Sequence, residues 1–242
     1  MTRRICVIGT PRSGSQYVLR VLQKSISQHT GNAVFDMLEP FTKDAQYIPL
    51  LNKDKSKIIN HKITSDIEYA ERVTRVLDTI QNCNPETDIV IKIFPYEYIH
   101  EYLPKILTIL QNQGFMFIKL KRDDIEAQLL SWVIAKETNV WSVTHIDVLL
   151  NQDPVGFKSA NGLVYVYNFI KSFDSICNKF GISGPTIHYE TAVSDLYKVL
   201  QIPISTNIDL IKQGTTNPYK FIINKEELRK LIKELLDGNE IY

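Results

Sequence analysis

Cysteine, long apolar runs and an excess of one charge are scarce or missing in this sequence, and each absence narrows the class of protein. The three cysteines, Cys6, Cys83 and Cys177, are widely spaced and odd in number. They predict neither a disulfide framework nor a metal site and favour a reducing compartment. No apolar run approaches the roughly 18 residues of a membrane span, so we expect no membrane span and a cytoplasmic location. The formal net charge of +1 implies no broad basic face for nucleic acid, so any anion site must be local.

Short β-rich runs alternate with stretches of helical periodicity along the chain. Strands are expected at 5–8, 89–94, 115–120 and 186–189, with a further short strand at 58–59. Helices are expected over 104–110, 123–136, 163–180, 194–200 and 225–236. This alternation predicts an α/β fold in which a parallel sheet is covered by helices on both faces, as a three-layer sandwich.

The first predicted strand ends in a loop bounded by two glycines, Gly9-Thr10-Pro11-Arg12-Ser13-Gly14-Ser15-Gln16. The glycines have the spacing of G-x-x-x-x-G-K-[ST], a loop that offers backbone N–H groups to an anion at a helix N-terminus. The motif's lysine position is Ser15 and its magnesium-binding position is Gln16, so a nucleoside triphosphate with Mg²⁺ would lose two main contacts. Arg12 supplies a cation instead. The pattern predicts a P-loop-type fold with an anion site that needs no metal, and a simple tight turn is the alternative.

The same loop carries a resemblance to a known family. Thr10-Pro11-Arg12-Ser13-Gly14-Ser15 resembles the 5′-phosphosulfate loop of sulfotransferases that use 3′-phosphoadenosine 5′-phosphosulfate (PAPS), most closely the bacterial trehalose-sulfotransferase type. The resemblance implies in-line transfer of a sulfuryl group from PAPS to a hydroxyl of an acceptor, with a carbohydrate or other small molecule favoured. The product would be 3′-phosphoadenosine 5′-phosphate (PAP), and no metal is expected. The donor-binding residues it implies are Pro11, Arg12, Ser13, Gly14, Ser15 and Gln16.

A second anion site is predicted where the third long strand meets its helix. Gln128 and Ser131 belong to a narrow polar stripe on that helix, which begins beside Arg122. The segment resembles the family's R-D…A-Q…S…A…T…W pattern, in which an arginine and a serine bind the 3′-phosphate, here Arg122 and Ser131. Arg122 precedes Ser131 by nine residues where the usual spacing is eight, so Lys121 is an alternative cation. An amphipathic surface helix capped by Asp123 is the simpler alternative.

The resemblance also implies residues for the acceptor side. The family's base is a glutamate in a P-x-E-Y-F context, which Glu39 matches together with the aromatic Phe41. His61 is the second candidate base, because an unperturbed imidazole titrates near neutrality. Lys92, an isolated charge in an apolar strand, resembles a family lysine in a G-x-K strand. Lys212 lies in a segment that resembles the C-terminal loop that adds cations to the 3′-phosphate.

We therefore expect one sulfotransferase-like domain over 1–242, with insertions at about 42–88 and 142–160 that shape the acceptor pocket. Its partners would be the nucleotide donor and a hydroxyl-bearing acceptor. The sequence does not decide whether the protein forms a homodimer. Two alternatives remain. A P-loop small-molecule kinase would carry a lysine at the position of Ser15 and depend on Mg²⁺. A catalytically inactive PAP-binding or interaction protein would bind PAP and never turn PAPS over.

Overall fold

The computed structural model describes residues 2–37, 39–41, 65–138, 154–205 and 222–238. Strands and helices alternate along most of these ranges. The strands are β1 (Arg4–Gly9), β2 (Val34–Met37), β3 (Asp88–Ile93), β4 (Met116–Lys121) and β5 (Thr186–His188). The helices are α1 (Ser15–Thr30), α2 (Asp66–Gln81), α3 (Leu103–Asn112), α4 (Ile125–Thr138), α5 (Ala160–Lys179), α6 (Ala192–Leu200) and α7 (Lys225–Leu236).

The five strands form one sheet in the order β2-β3-β1-β4-β5, and each neighbouring pair is parallel. The carboxyl ends of all the strands therefore meet at one edge of the sheet. β1 lies at the centre, with Gly9 in register with Leu120 of β4. The loops after β1, β3 and β4 are consequently neighbours in space, at the position where open α/β sheets place their ligands.

Both faces of the sheet are covered, because alternate residues of each strand point to opposite sides. Cys6 and Ile8 of β1 pack into an apolar cluster with α2, α3 and the end of α5. Ile5 and Val7 of the same strand pack into a second cluster with α1 and α6. A third cluster joins α4, α5 and α7. The predicted three-layer α/β fold is confirmed.

Two elements were not expected from the sequence, β2 and α2. β2 is only four residues long and lies at the edge of the sheet, where Phe35 is exposed. α2 begins after Ser65, whose hydroxyl accepts a hydrogen bond from the Glu68 N–H at 3.2 Å, the N-cap geometry that favours a helix start. Its apolar side, from Tyr69 to Ile80, is buried in the cluster that covers β3.

Part of the predicted insertion at 42–88 is therefore a helix that packs on the sheet. The predicted strand at 58–59 lies outside the described residues, and the role of both insertions at the acceptor stays a prediction. Among the described residues, no helix is long and apolar enough to cross a membrane.

Candidate active site

The loop between β1 and α1 contains two residues in the left-handed backbone region. The N–H of Ser13 donates to the Thr10 carbonyl at 3.2 Å, which closes the turn. Arg12 has φ 62° and Gly14 has φ 83°. A left-handed conformation is unfavourable for a residue with a side chain, and it is found mainly where surrounding contacts hold it at functional sites. The N-cap residue of α1 is Gly14, which has no side chain to accept hydrogen bonds from the first turn. The N–H groups of the first turn of α1 can therefore hold an anion.

Gly14 also lies against an aromatic ring. A Cβ atom at this position would overlap the ring of Tyr189, and the positive φ would add backbone strain. We expect Gly14→Ala to lower the free energy of unfolding by roughly 2–4 kcal/mol and to abolish anion binding at the loop. Urea unfolding and a nucleotide titration would measure the two effects.

Gly31 provides a matched control for that substitution. It ends α1 with φ 75°, and a Cβ there would meet nothing within 4 Å. Gly31→Ala therefore carries the backbone cost alone, roughly 1–2 kcal/mol. Equal losses of stability in the two variants, or retained anion binding in Gly14→Ala, would contradict the proposed packing of the loop on Tyr189.

The structure brings three of the predicted donor-binding residues together at this edge. Arg12 Nε donates to Ser131 Oγ at 3.0 Å. Arg122 Nη1 donates to the Arg12 carbonyl at 3.4 Å, and its guanidinium carbon lies 5.1 Å from the centre of the Tyr189 ring. Arg122 and Ser131 therefore both contact the loop, although nine residues rather than the usual eight separate them in the sequence. Lys121, the alternative cation, pairs instead with Asp174 of α5 at 2.5 Å.

The pKa of Arg12 is lower than that of an ordinary arginine, mainly because the side chain is buried. Burial, followed by the positive charge of Arg122, lowers the pKa of Arg12 to about 10, while the carboxylate of Glu39 acts in the opposite direction. Two guanidinium groups in a partly desolvated site repel each other. An anion between them would remove that repulsion, so the arrangement favours an anionic ligand.

Glu39 and Lys92 form an ion pair in the same neighbourhood. Lys92 Nζ lies 2.5 Å from Glu39 Oε1, and the side chain of Lys92 is only 3% exposed, against 31% for Glu39. The ammonium also lies 4.9 Å from the centre of the Phe94 ring. A buried lysine is costly without a counter-ion, so Glu39 compensates the charge of Lys92. The structure thus places the predicted base next to the two predicted cations Lys92 and Arg12.

Some predicted residues have other surroundings. Ser13 is fully buried, and its hydroxyl makes no hydrogen bond among the described residues. The cap of α4 is Asp124, whose Oδ1 accepts from the Ala127 N–H at 2.8 Å. The predicted cap Asp123 is wrong, because its carboxylate pairs with His188 at 2.6 Å.

Pro11, Ser15 and Gln16 occupy the loop and the start of α1 as expected. Pro11 and Ser15 are buried and Gln16 is half-buried. His61 and Lys212 lie outside the described residues, so the choice between Glu39 and His61 as base stays open.

The cavity beside Tyr189 was not predicted from the sequence. The cavity measures about 760 Å³ and is lined by Tyr17 of α1 and by residues from the end of β5 to just beyond α6, including Tyr189, Tyr197 and Ile204. The rings of Tyr17 and Tyr189 meet edge to face at 5.9 Å. Because Tyr189 also contacts Gly14 and Arg122, the cavity adjoins the anion site. No sequence pattern signalled it, since its aromatic residues come from two distant segments.

Comparisons with known proteins add a weak structural likeness. No family model matches the sequence, and no curated protein matches it. Among solved structures, Kti12 of Chaetomium thermophilum in complex with ADP-AlF3 is similar with 12% sequence identity and a TM-score of 0.45. The similarity covers 81% of this chain and 95% of that chain.

Proposed function

We propose that this protein is a sulfotransferase that moves a sulfuryl group from PAPS to a hydroxyl of an acceptor. The observation that carries the proposal is the position of Arg12. This arginine occupies a loop whose lysine position is Ser15, and it reaches Ser131 at 3.0 Å beside Arg122. Two cations and a hydroxyl thus converge on a loop suited to anions. A loop that binds a nucleotide with Mg²⁺ would instead carry a lysine at the position of Ser15.

The donor fits this arrangement through its two charged ends. Its 5′-phosphosulfate would lie at the N-terminus of α1, held by Arg12 and the N–H groups of the first turn. Its 3′-phosphate would bind Arg122 and Ser131. The hydrogen bond between Arg12 and Ser131 makes the two halves neighbours, as a nucleotide with both groups on one ribose requires. The cavity beside Tyr189 and Tyr17 suits the adenine ring, because aromatic side chains stack on bases.

Transfer needs charge neutralisation and a proton acceptor more than covalent help from the protein. The acceptor oxygen would attack sulfur in line, forming a new S–O bond while the bond from sulfur to the 5′-phosphate oxygen breaks. The bonding electron pair would leave with PAP, whose new charge Arg12 would neutralise. The proton of the acceptor hydroxyl would pass to Glu39 or His61. Lys92, paired with Glu39 at 2.5 Å, would hold the carboxylate in place.

Ligand-induced thermal stabilisation tests the choice of nucleotide. We expect PAP without metal to raise the melting temperature, because ligand at a hundredfold excess over its Kd stabilises the folded state by roughly 3 kcal/mol. ATP with Mg²⁺ should give a much smaller shift, and EDTA should not weaken the response to PAP. A shift with ATP–Mg²⁺ alone would favour the kinase alternative and contradict the proposal.

Turnover separates an enzyme from a binding protein. Release of PAP from PAPS in the presence of an acceptor panel, with neutral sugars and phenols as separate arms, should be acceptor-dependent. Binding of PAP without turnover on any acceptor would instead support the inactive alternative.

A further inference from the structure

The buried side-chain amide of Gln128, on α4, forms hydrogen bonds to the loop between β1 and α1. Gln128 lies one turn into α4 and is only 1% exposed. Its Nε2 donates to the Thr10 hydroxyl at 2.8 Å and to the Pro11 carbonyl at 2.6 Å. A carbonyl can only accept a hydrogen bond, so the orientation of the Gln128 amide is set by Pro11. These two bonds join α4 to the loop after β1.

The Pro11 carbonyl belongs to the peptide that precedes Arg12. Arg12 has φ 62°, a conformation that surrounding contacts must maintain. Fixing the Pro11–Arg12 peptide therefore fixes the direction in which the Arg12 side chain leaves the loop. Ser131, three residues after Gln128 and on the same side of α4, receives the Arg12 Nε. Helix α4 thus contacts the loop at two points. Gln128 binds the backbone before Arg12, and Ser131 binds the Arg12 guanidinium.

We propose that Gln128 is a positioning residue for the anion site, and that its amide holds Arg12 in the left-handed conformation that directs it to the 5′-phosphosulfate. The inference rests on the proposed function, because it assigns the loop to that group. Packing alone does not account for the residue. Its Oε1 is buried and has no hydrogen-bond partner among the described residues. If the position served packing alone, an apolar side chain would fill it without the cost of burying an oxygen that has no hydrogen-bond partner.

The test removes the donor and keeps the volume. Gln128→Met has a side chain of similar size without an amide, and Gln128→Glu keeps the shape while replacing the donor with an acceptor. We expect the Kd for 5′-AMP, which carries only the loop-bound phosphate, to rise roughly ten- to hundredfold in both variants. The Kd for 3′-AMP, which carries only the phosphate assigned to Arg122 and Ser131, should stay within about twofold.

Two controls separate positioning from general damage. Leu129→Val trims the next residue of α4, which faces the third apolar cluster, and should lower stability without changing either Kd. Hydrogen exchange gives a readout that needs no nucleotide. Exchange should become faster in the Gln128 variants for the peptide that contains residues 10–15 and stay unchanged across β3.

Each outcome decides the inference. Unchanged 5′-AMP affinity in a folded Gln128→Met protein, or equal losses for 5′-AMP and 3′-AMP, would overturn it. Unchanged exchange at residues 10–15 would also overturn it. If the wild-type protein bound neither nucleotide while exchange accelerated only at the loop, the proposed function would fail and the positioning of the loop by Gln128 would stand.

Discussion

Arg12→Ala should lower the rate of sulfuryl transfer by at least about a thousandfold, because it removes the cation that we propose neutralises the leaving phosphate. PAP affinity should fall as well. Stability should change little, within about 1 kcal/mol, because burial and the positive charge of Arg122 both disfavour the charged form of Arg12 and lower its pKa. Steady-state turnover, a PAP titration and urea unfolding would measure the three effects.

The position of the charge can be tested with two further substitutions. Arg12→Lys keeps a positive charge but loses the Nε donor that reaches Ser131. It should recover only part of the activity, since an ammonium does not reproduce the fork of a guanidinium. Arg20, on α1 and 54% exposed at its side chain, is the matched control, and Arg20→Ala should leave turnover unchanged. Wild-type turnover in Arg12→Ala would remove Arg12 from the mechanism.

The sequence predicted the central strands because they carry a strong and simple signal. β1 and β3 are buried along their whole length, so their apolar runs reflect burial on both faces of a parallel sheet. β2 could not be found in this way. It is a short edge strand in which Phe35 is exposed and only Met37 is buried, so neither an apolar run nor a clear alternation marks it.

The candidate site was predictable where one loop or one helix supplies the chemistry. The glycine spacing around Arg12 and the Arg122–Ser131 segment each predicted a local anion contact. Their convergence depends on the strand order, which places β4 directly beside β1. The amide of Gln128 and the ring of Tyr189 could not be assigned from sequence, because their partners, Pro11 and Gly14, are distant in the chain.

The same geometry explains how a nearly neutral protein could bind a highly charged donor. The formal net charge is only +1, so general attraction of anions is weak. Arg12, Arg122 and Lys92 instead gather at one edge of the sheet, where burial strengthens their interaction with an anion. Glu39 pairs with Lys92 and also acts on the charge of Arg12. Glu190 lies 4.0 Å from Arg122, so these two carboxylates offset part of the positive charge.

Glu39→Gln should lose turnover and stability together, and a second substitution can separate the two effects. The substitution removes the proposed base, which we expect to cost roughly a hundred- to ten-thousandfold in rate. It also leaves the ammonium of Lys92, only 3% exposed, without its carboxylate. An uncompensated buried charge should lower the free energy of unfolding by about 3 kcal/mol.

The double variant Glu39→Gln with Lys92→Met replaces the ion pair with groups of similar volume. Its stability should return close to that of the wild type, because a buried ion pair replaced as a whole costs little. Turnover should stay low if Glu39 takes the proton of the acceptor. Recovery of turnover along with stability would reduce Glu39 to the counter-ion of Lys92 and leave His61 as the candidate base. The rate and the unfolding free energy, measured on the same three proteins, therefore distinguish the chemical role of Glu39 from its structural one.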